Sequence, residues 1–211
     1  MERKSHWGTI YQRQRPQEVS WYQPHLNVSL SLLANAGLFP GSRIIDVGGG
    51  ASTLVDDLLA KRIRDVTVLD ISGHALAAAK ARLGERAERA TWIEADITQV
   101  EFPSASYDLW HDRAVFHFLT NAEDRRRYIA TMRDALKPGG YAILATFALQ
   151  GPPRCSGLEV VRYSPDTLHA EVGGDFALIE ALEEEHQTPF QTVQKFLYCR
   201  FQSPGGKSGR S

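Results

Sequence analysis

Cysteine is scarce in this chain. Cys155 and Cys199 are the only two in 211 residues, too few for a disulfide framework or a four-ligand zinc site, and no metal is expected. An excess of either charge is also lacking. Lysine and arginine number 24 against 25 aspartates and glutamates, a formal net charge of −1, which argues against a nucleic-acid footprint or a membrane-surface patch. No window approaches the ~18 consecutive apolar residues of a spanning helix. The N-terminal stretch MERKSHWGTIYQRQRPQ has no apolar h-region, so no signal peptide is read and a cytoplasmic location is expected. No internal repeat is visible. The one tight basic run, Arg125-Arg126-Arg127, falls in an expected helix and reads as a solvated face.

What is present is an alternation of short apolar runs with amphipathic segments, the pattern of repeated βα units and a mainly parallel, doubly wound α/β sheet. Leu26, Leu30, Leu33 and Ala34 share one helical face ahead of Gly37. Strands are expected at Arg43 to Val47, VTVLD, ATWIEA, YDLWHD and YAILATF. Between them, one helix carries Leu54, Val55, Leu58 and Leu59. Ser72 caps a second that ends at Gly84. Thr120 with Glu123 reads as the capping box of a third, ended by KPGG, and Ser164-Pro165 starts another. The last two extended runs, FALIEALEEEH and QKFLYCRF, are joined by a turn too short for a crossover helix, so they must pair antiparallel. The expectation is seven strands with a C-terminal antiparallel hairpin. Residues 1–40 are read as a cap or lid, 41–201 as the core, and 202–211 as a Gly/Ser-rich disordered tail.

Chemistry concentrates after the first strand, in RIIDVGGGAS. Gly48 and Gly50 fit part of a dinucleotide fingerprint, but its third position is Thr53, and no Gly-Lys-Ser/Thr follows as a phosphate-binding loop requires. Asp46, just ahead of Gly48, Gly49 and Gly50, would repel a pyrophosphate and suit a ligand with a cationic amino-acid portion. Asp70 ends the second strand, where a carboxylate accepts from both ribose hydroxyls. Asp96 ends the third, placed for an exocyclic adenine amine with Ile97 packed on the ring. Three acids at successive strand ends point to an adenosyl ligand.

With these residues the chain resembles the class I S-adenosylmethionine-dependent methyltransferases. IIDVGGGAS is similar to their glycine motif, VLDIS (Asp70, Ile71) to their ribose-binding segment, EADI to their adenine-binding acid, and LKPGG to the turn before their fifth strand. The resemblance covers roughly Gly41 to Phe201. Ser52 stands where many members have another glycine. It implies a Rossmann-like fold, S-adenosyl-L-methionine as cofactor, and an in-line methyl transfer that needs alignment and exclusion of water more than a base.

In this family the segment after the fourth strand lines the methyl end of the cofactor. Here it reads WHDRAVFHFL, unlike the Asn/Asp-Pro-Pro-Tyr/Phe of adenine methyltransferases. His111, Asp112 and His117 are the candidate catalytic groups. Strand alternation turns Asp112 toward the cleft, and Arg113 pairs with it or orients substrate. His117 between two phenylalanines also reads as a core residue. The loop after the fifth strand adds Arg154 and Arg162 as candidate holders of an acidic group, and Cys155 as a soft atom. Trp7, Tyr11, Trp21 and Tyr22 read as an aromatic lid. The acceptor is expected to be a small molecule. A protein lysine is the alternative, because a Trp/Tyr-rich start also resembles small protein-lysine methyltransferases, although those carry acid-lysine-glycine in place of Asp112-Arg113-Ala114. A non-catalytic adenosyl-binding module is the third reading.

Overall fold

The computed structural model describes residues 3–205. Helices are α1 (Arg3–Arg13), α2 (Asn27–Asn35), α3 (Leu54–Ala60), α4 (Gly73–Leu83), α5 (Ala122–Ala135) and α6 (Pro165–Val172). Strands are β1 (Arg43–Val47), β2 (Asp65–Asp70), β3 (Ala90–Glu94), β4 (Tyr107–Arg113), β5 (Leu136–Phe147), β6 (Arg154–Cys155), β7 (Leu158–Glu159), β8 (Ala177–Gln187) and β9 (Val193–Gln202). Seven of these form one sheet in the order β3-β2-β1-β4-β5-β9-β8. The first five run parallel, and β9 pairs antiparallel with both β5 and β8. This is the expected Rossmann-like sheet with its reversed C-terminal hairpin.

The sheet is covered on both faces, which is why its central strands read as nearly unbroken apolar runs. On one face Ile45, Val47, Trp110 and Leu144 pack with Tyr128, Met132 and Leu168, from α5 and α6. On the other, Ile44, Val68, Leu109 and Ile143 pack with Leu33, Leu54, Leu58 and Leu76, from α2, α3 and α4. Local chemistry sets the helix ends. Ser72 Oγ accepts from Ala75 N at the start of α4, and Gly84, at φ 58°, ends that helix in a conformation that favours glycine. Ser164 and Thr167 cap α6 reciprocally, with Pro165 in its first turn.

Three expectations shift. Asn121, not Thr120, caps α5, its side chain accepting from Glu123 N; asparagine serves that position at least as well as threonine. The KPGG stretch does not end the helix but lies within β5, which begins at Leu136, directly after Ala135. The loop after β5 folds into the small β6–β7 hairpin. Gln202 still belongs to β9, and the remainder of the expected tail, from 206 on, lies outside the described residues. Among the described residues no helix is long and apolar enough to cross a membrane.

Candidate active site

The parallel strands deliver their carboxyl ends to one edge, where a cleft of about 1150 Å³, counting its open mouth, is lined from β1, β2, β4, α1 and the segment before α2. Open α/β sheets bind ligands in this crevice. The glycine loop forms its floor. Gly48 turns with φ 73°, and the N–H groups of Gly48 and Gly49 donate to Leu69 O at 2.7 and 3.2 Å. A Cβ on Gly50 would stand 2.6 Å from both Ala75 Cβ and Asp70 Oδ2, so the backbone there must be bare.

Asp46, Asp70 and Asp96 all line the cleft, together with Gly48, Ile71 and Ile97. Gly49 and Gly50 support the loop from behind. Asp70 accepts from Gly50 N at 3.0 Å and Ser72 N at 2.8 Å. Burial pushes its carboxyl up to about 6, opposed by those N–H bonds and reinforced by the charge of Asp46. A carboxylate offers about four lone-pair sites, so Asp70 keeps acceptor capacity for two hydroxyls. Asp46 Oδ1 lies 2.7 Å from His111 Nδ1, and its Oδ2 is buried with no partner. An unpartnered buried acceptor calls for a donor on the ligand, and a cationic amine answers both its charge and its geometry. Asp96 Oδ1 accepts from Thr98 N and Oγ1 at 2.9 and 2.7 Å, while Arg3 of α1 stands 3.4 Å from its Oδ2. Arg3 had no signal in the sequence, being brought there only by the docking of α1. These residues fit an adenosyl group bearing an amino-acid tail.

The three candidate catalytic side chains separate. His111 lines the cleft, but both its nitrogens are engaged, Nδ1 with Asp46 and Nε2 with Ser29 Oγ at 2.9 Å. Asp112 points to the opposite face and not into the cleft. There it accepts from Val115 N at 2.8 Å, from Phe116 N at 3.1 Å and from Tyr128 Oη, so it holds the backbone entering the short 3-10 turn at Phe116–Phe118. Burial pushes its carboxyl to about 6, against the pull of the Tyr128 bond. His117 lies in the core against Phe118 and Phe147, its Nδ1 accepting from Phe147 N at 3.1 Å. Burial, with the charge of Arg113, lowers its imidazole to about 3.

Arg113 lies on the cleft side and does not pair with Asp112. Its Nε donates to Tyr198 Oη at 2.9 Å and its Nη1 to Trp21 O at 2.9 Å, and its guanidinium carbon lies 4.3 Å from the centre of the Phe196 ring. Arg154 and Arg162 are not at the cleft. The first donates to Gly157 O within the β6–β7 hairpin, the second to Leu149 O and Gly151 O. They shape the loop, as does a backbone that would otherwise lack partners. Trp7, Tyr11, Trp21 and Tyr22 all line the cleft. Trp7 meets Phe118 at 4.9 Å and Trp21 at 5.7 Å, and Tyr11 meets Trp21 at 6.2 Å, each edge-on. Burial and the charge of Asp70 push the Tyr11 phenol well up, so it stays a donor. Phe147, Cys155 and Phe196 complete this end; Phe196 went unread because its strand, β9, is remote in sequence.

Comparisons with known proteins agree with this geometry. A methyltransferase-domain family model matches residues 44–140. Over 149 residues the chain is 26% identical to the eEF1A lysine and N-terminal methyltransferase of Bos taurus, a match covering 68% of this chain and 21% of that protein. The chain thus spans about a fifth of that relative's length. A solved structure concerned with converting a disulfide bond into a thioacetal group during echinomycin biosynthesis superposes with a TM-score of 0.74 at 18% identity, covering 98% of this chain and 95% of that one. The Burkholderia thailandensis 1,6-didemethyltoxoflavin-N1-methyltransferase, solved with its namesake ligand and S-adenosylhomocysteine, gives 0.68 at 18% identity over 85% of this chain and 77% of that one. At these identities the structural likeness is one of fold.

Proposed function

We propose that the chain, whose residues 44–140 match a methyltransferase-domain family model, transfers the methyl group of S-adenosylmethionine to a small-molecule acceptor. The observation that carries this reading is the trio of cleft carboxylates on a glycine floor, with Asp46 Oδ2 buried and unpartnered. Bound there, the cofactor supplies an electrophilic methyl on a sulfonium whose positive charge disappears on transfer. Asp70 accepts from the two ribose hydroxyls. Ile71 and Ile97 flank the base, and Asp96 accepts from its exocyclic amine once Arg3 yields Oδ2. Asp46, oriented by His111, receives the ammonium of the amino-acid portion, while Gly48, Gly49 and Gly50 let the backbone pass close beneath.

Residues 1–40 act as the lid. Trp7, Tyr11 and Trp21 cover the reacting end and exclude water, which is the main service a displacement at a sulfonium requires. None of the three candidate bases is offered to a ligand. His111 has both nitrogens engaged, and Asp112 and His117 lie away from the cleft. The acceptor therefore arrives with its lone pair free, and the chain contributes alignment rather than proton removal. A protein lysine as acceptor is the second reading, favoured by the 26% identity to a relative named for lysine and N-terminal methylation. The aromatic cover argues for the small molecule, since a lysine on a folded protein would have to displace it.

The test is incubation with methyl-labelled donor and, in parallel, a protein-depleted metabolite extract and a dialysed proteome. Label is expected in the small-molecule fraction. Label on a protein band alone overturns the acceptor assignment, and label in neither fraction, with donor bound, points to the non-catalytic adenosyl-binding module.

A further inference from the structure

Arg113 is a buried cation with one terminal nitrogen left over. Its side chain is 6% exposed, yet Nη2 has no hydrogen-bond partner. The nearest anion, Glu184, stands 4.0 Å away and has committed its oxygens elsewhere, accepting from Tyr198 Oη at 2.8 Å and from Gln23 Nε2 at 3.0 Å. The guanidinium is locked by Tyr198, Trp21 O and the Phe196 ring, so the open donor has a fixed direction. A guanidinium is never deprotonated in a protein, and leaving one of its donors dry is costly unless a ligand meets it.

Position says which ligand. Arg113 ends β4, and its guanidinium lies against Phe196 and Tyr198 of β9, two strands further along the sheet. The glycine loop and Asp70 lie in the other direction, on β1 and β2. Around Arg113 the cleft is walled by Trp21, Phe118, Phe147 and Phe196. Its charge is felt by a dry neighbourhood, lowering His117 and His186 after burial itself.

We infer that the acceptor is an apolar, ring-bearing small molecule carrying one carboxylate, which Arg113 Nη2 binds between those aromatic walls. This rests on the methyltransferase reading for the word acceptor but not for the binding itself. A carboxylate is also present on the amino-acid portion of the donor, so the same chemistry has two sources. The place of Arg113 at the β9 side of the cleft, away from Asp46 and Asp70 on β1 and β2, assigns it to the acceptor.

The experiment is a tryptophan-fluorescence titration of the full chain, with and without saturating S-adenosylhomocysteine, using a panel of aromatic carboxylic acids and their matched primary amides. The result expected is that at least one acid binds at least tenfold more tightly than its amide, and that Arg113→Gln removes the difference. Amides binding as well as acids, no acid binding at all, or a preference that survives Arg113→Gln overturns the inference. Should Arg113→Gln fail to fold, Arg113→Lys keeps the charge and loses the second terminal nitrogen, and the acid-over-amide ratio of the unaltered protein still decides. A parallel arm compares S-adenosylhomocysteine with methylthioadenosine, which lacks the amino-acid portion. If Arg113→Gln weakens the first at least tenfold and leaves the second alone, the guanidinium serves the donor and the inference falls. Failure of S-adenosylhomocysteine to bind the unaltered protein defeats the methyltransferase reading, while the panel without it still reads the carboxylate preference.

Discussion

Replacing Asp112 by asparagine separates a catalytic carboxylate from a structural cap. The side chain is fully buried, and burial pushes its carboxyl from an ordinary 3.8 to about 6. Above pH 6 both folded and unfolded chains carry the charge, and the folded state bears its whole burial cost. That gap, at 1.36 kcal/mol per unit, is about 3 kcal/mol. As the pH falls from 6 toward 3.8, the folded state takes up a proton that the unfolded chain does not, and the cost is relieved; at pH 4.5 about 1 kcal/mol remains. Asparagine never bears it. Its Oδ1 keeps the Val115 N–H and Tyr128 Oη can accept from Nδ2, while the Phe116 N–H and the Tyr128 O–H lose their acceptor, about 1 kcal/mol each. Urea unfolding at pH 4.5 and 7.5 therefore reads a difference between variant and parent that moves by about 2 kcal/mol in favour of Asp112→Asn at the higher pH. Parallel stability curves would refute the buried-cap account. So would loss of methyl transfer by a variant that remains folded, since this carboxylate does not reach the cleft.

Three further outcomes follow from the same geometry. Affinity for S-adenosylhomocysteine is expected to be flat above pH 7 and to fall below about 6, as protonation of Asp70 removes an acceptor from the ribose hydroxyls, by up to about tenfold per unit; calorimetry showing no change down to pH 5 contradicts it. Gly50→Ala places a methyl 2.6 Å from Ala75 Cβ and Asp70 Oδ2 and should cost both cofactor affinity and about 1–3 kcal/mol of stability; a variant with parental melting and binding rejects the tight loop. Deleting residues 1–20 removes Trp7 and Tyr11 from the cover and should abolish turnover while far-ultraviolet dichroism stays that of a folded α/β domain. Full activity would end the lid proposal.

Much of the fold is local and was legible in sequence. Five parallel strands, the caps at Ser72 and Ser164, and the reversed hairpin follow from periodicity and short-range turn chemistry. Asp46, Asp70 and Asp96 were legible for the same reason, each sitting at the end of a readable strand. The faces of β4 were not. A strand buried on both sides offers no polar alternation to orient it, so Asp112 was turned toward the cleft. The register that sets Asp46 opposite His111 puts His111 and Arg113 on the cleft side and sends Asp112 to Tyr128 of α5. The long-range contacts left no local trace at all. Ser29 meets His111 across 82 positions, Arg3 reaches Asp96 from a helix with no buried residues, and Tyr198 fixes Arg113 from the last strand. The loop arginines lie off the cleft for a related reason: Arg154 and Arg162 donate to nearby loop carbonyls.

The cleft at the carboxyl ends of β1, β2 and β3 is proposed to hold an adenosyl donor through Asp70, and isothermal titration of the protein and of Asp70→Ala with S-adenosylhomocysteine decides it. Saturable one-to-one binding by the parent protein is expected, weakened at least tenfold in the variant. Absence of binding by the parent, or an affinity indifferent to Asp70, contradicts it.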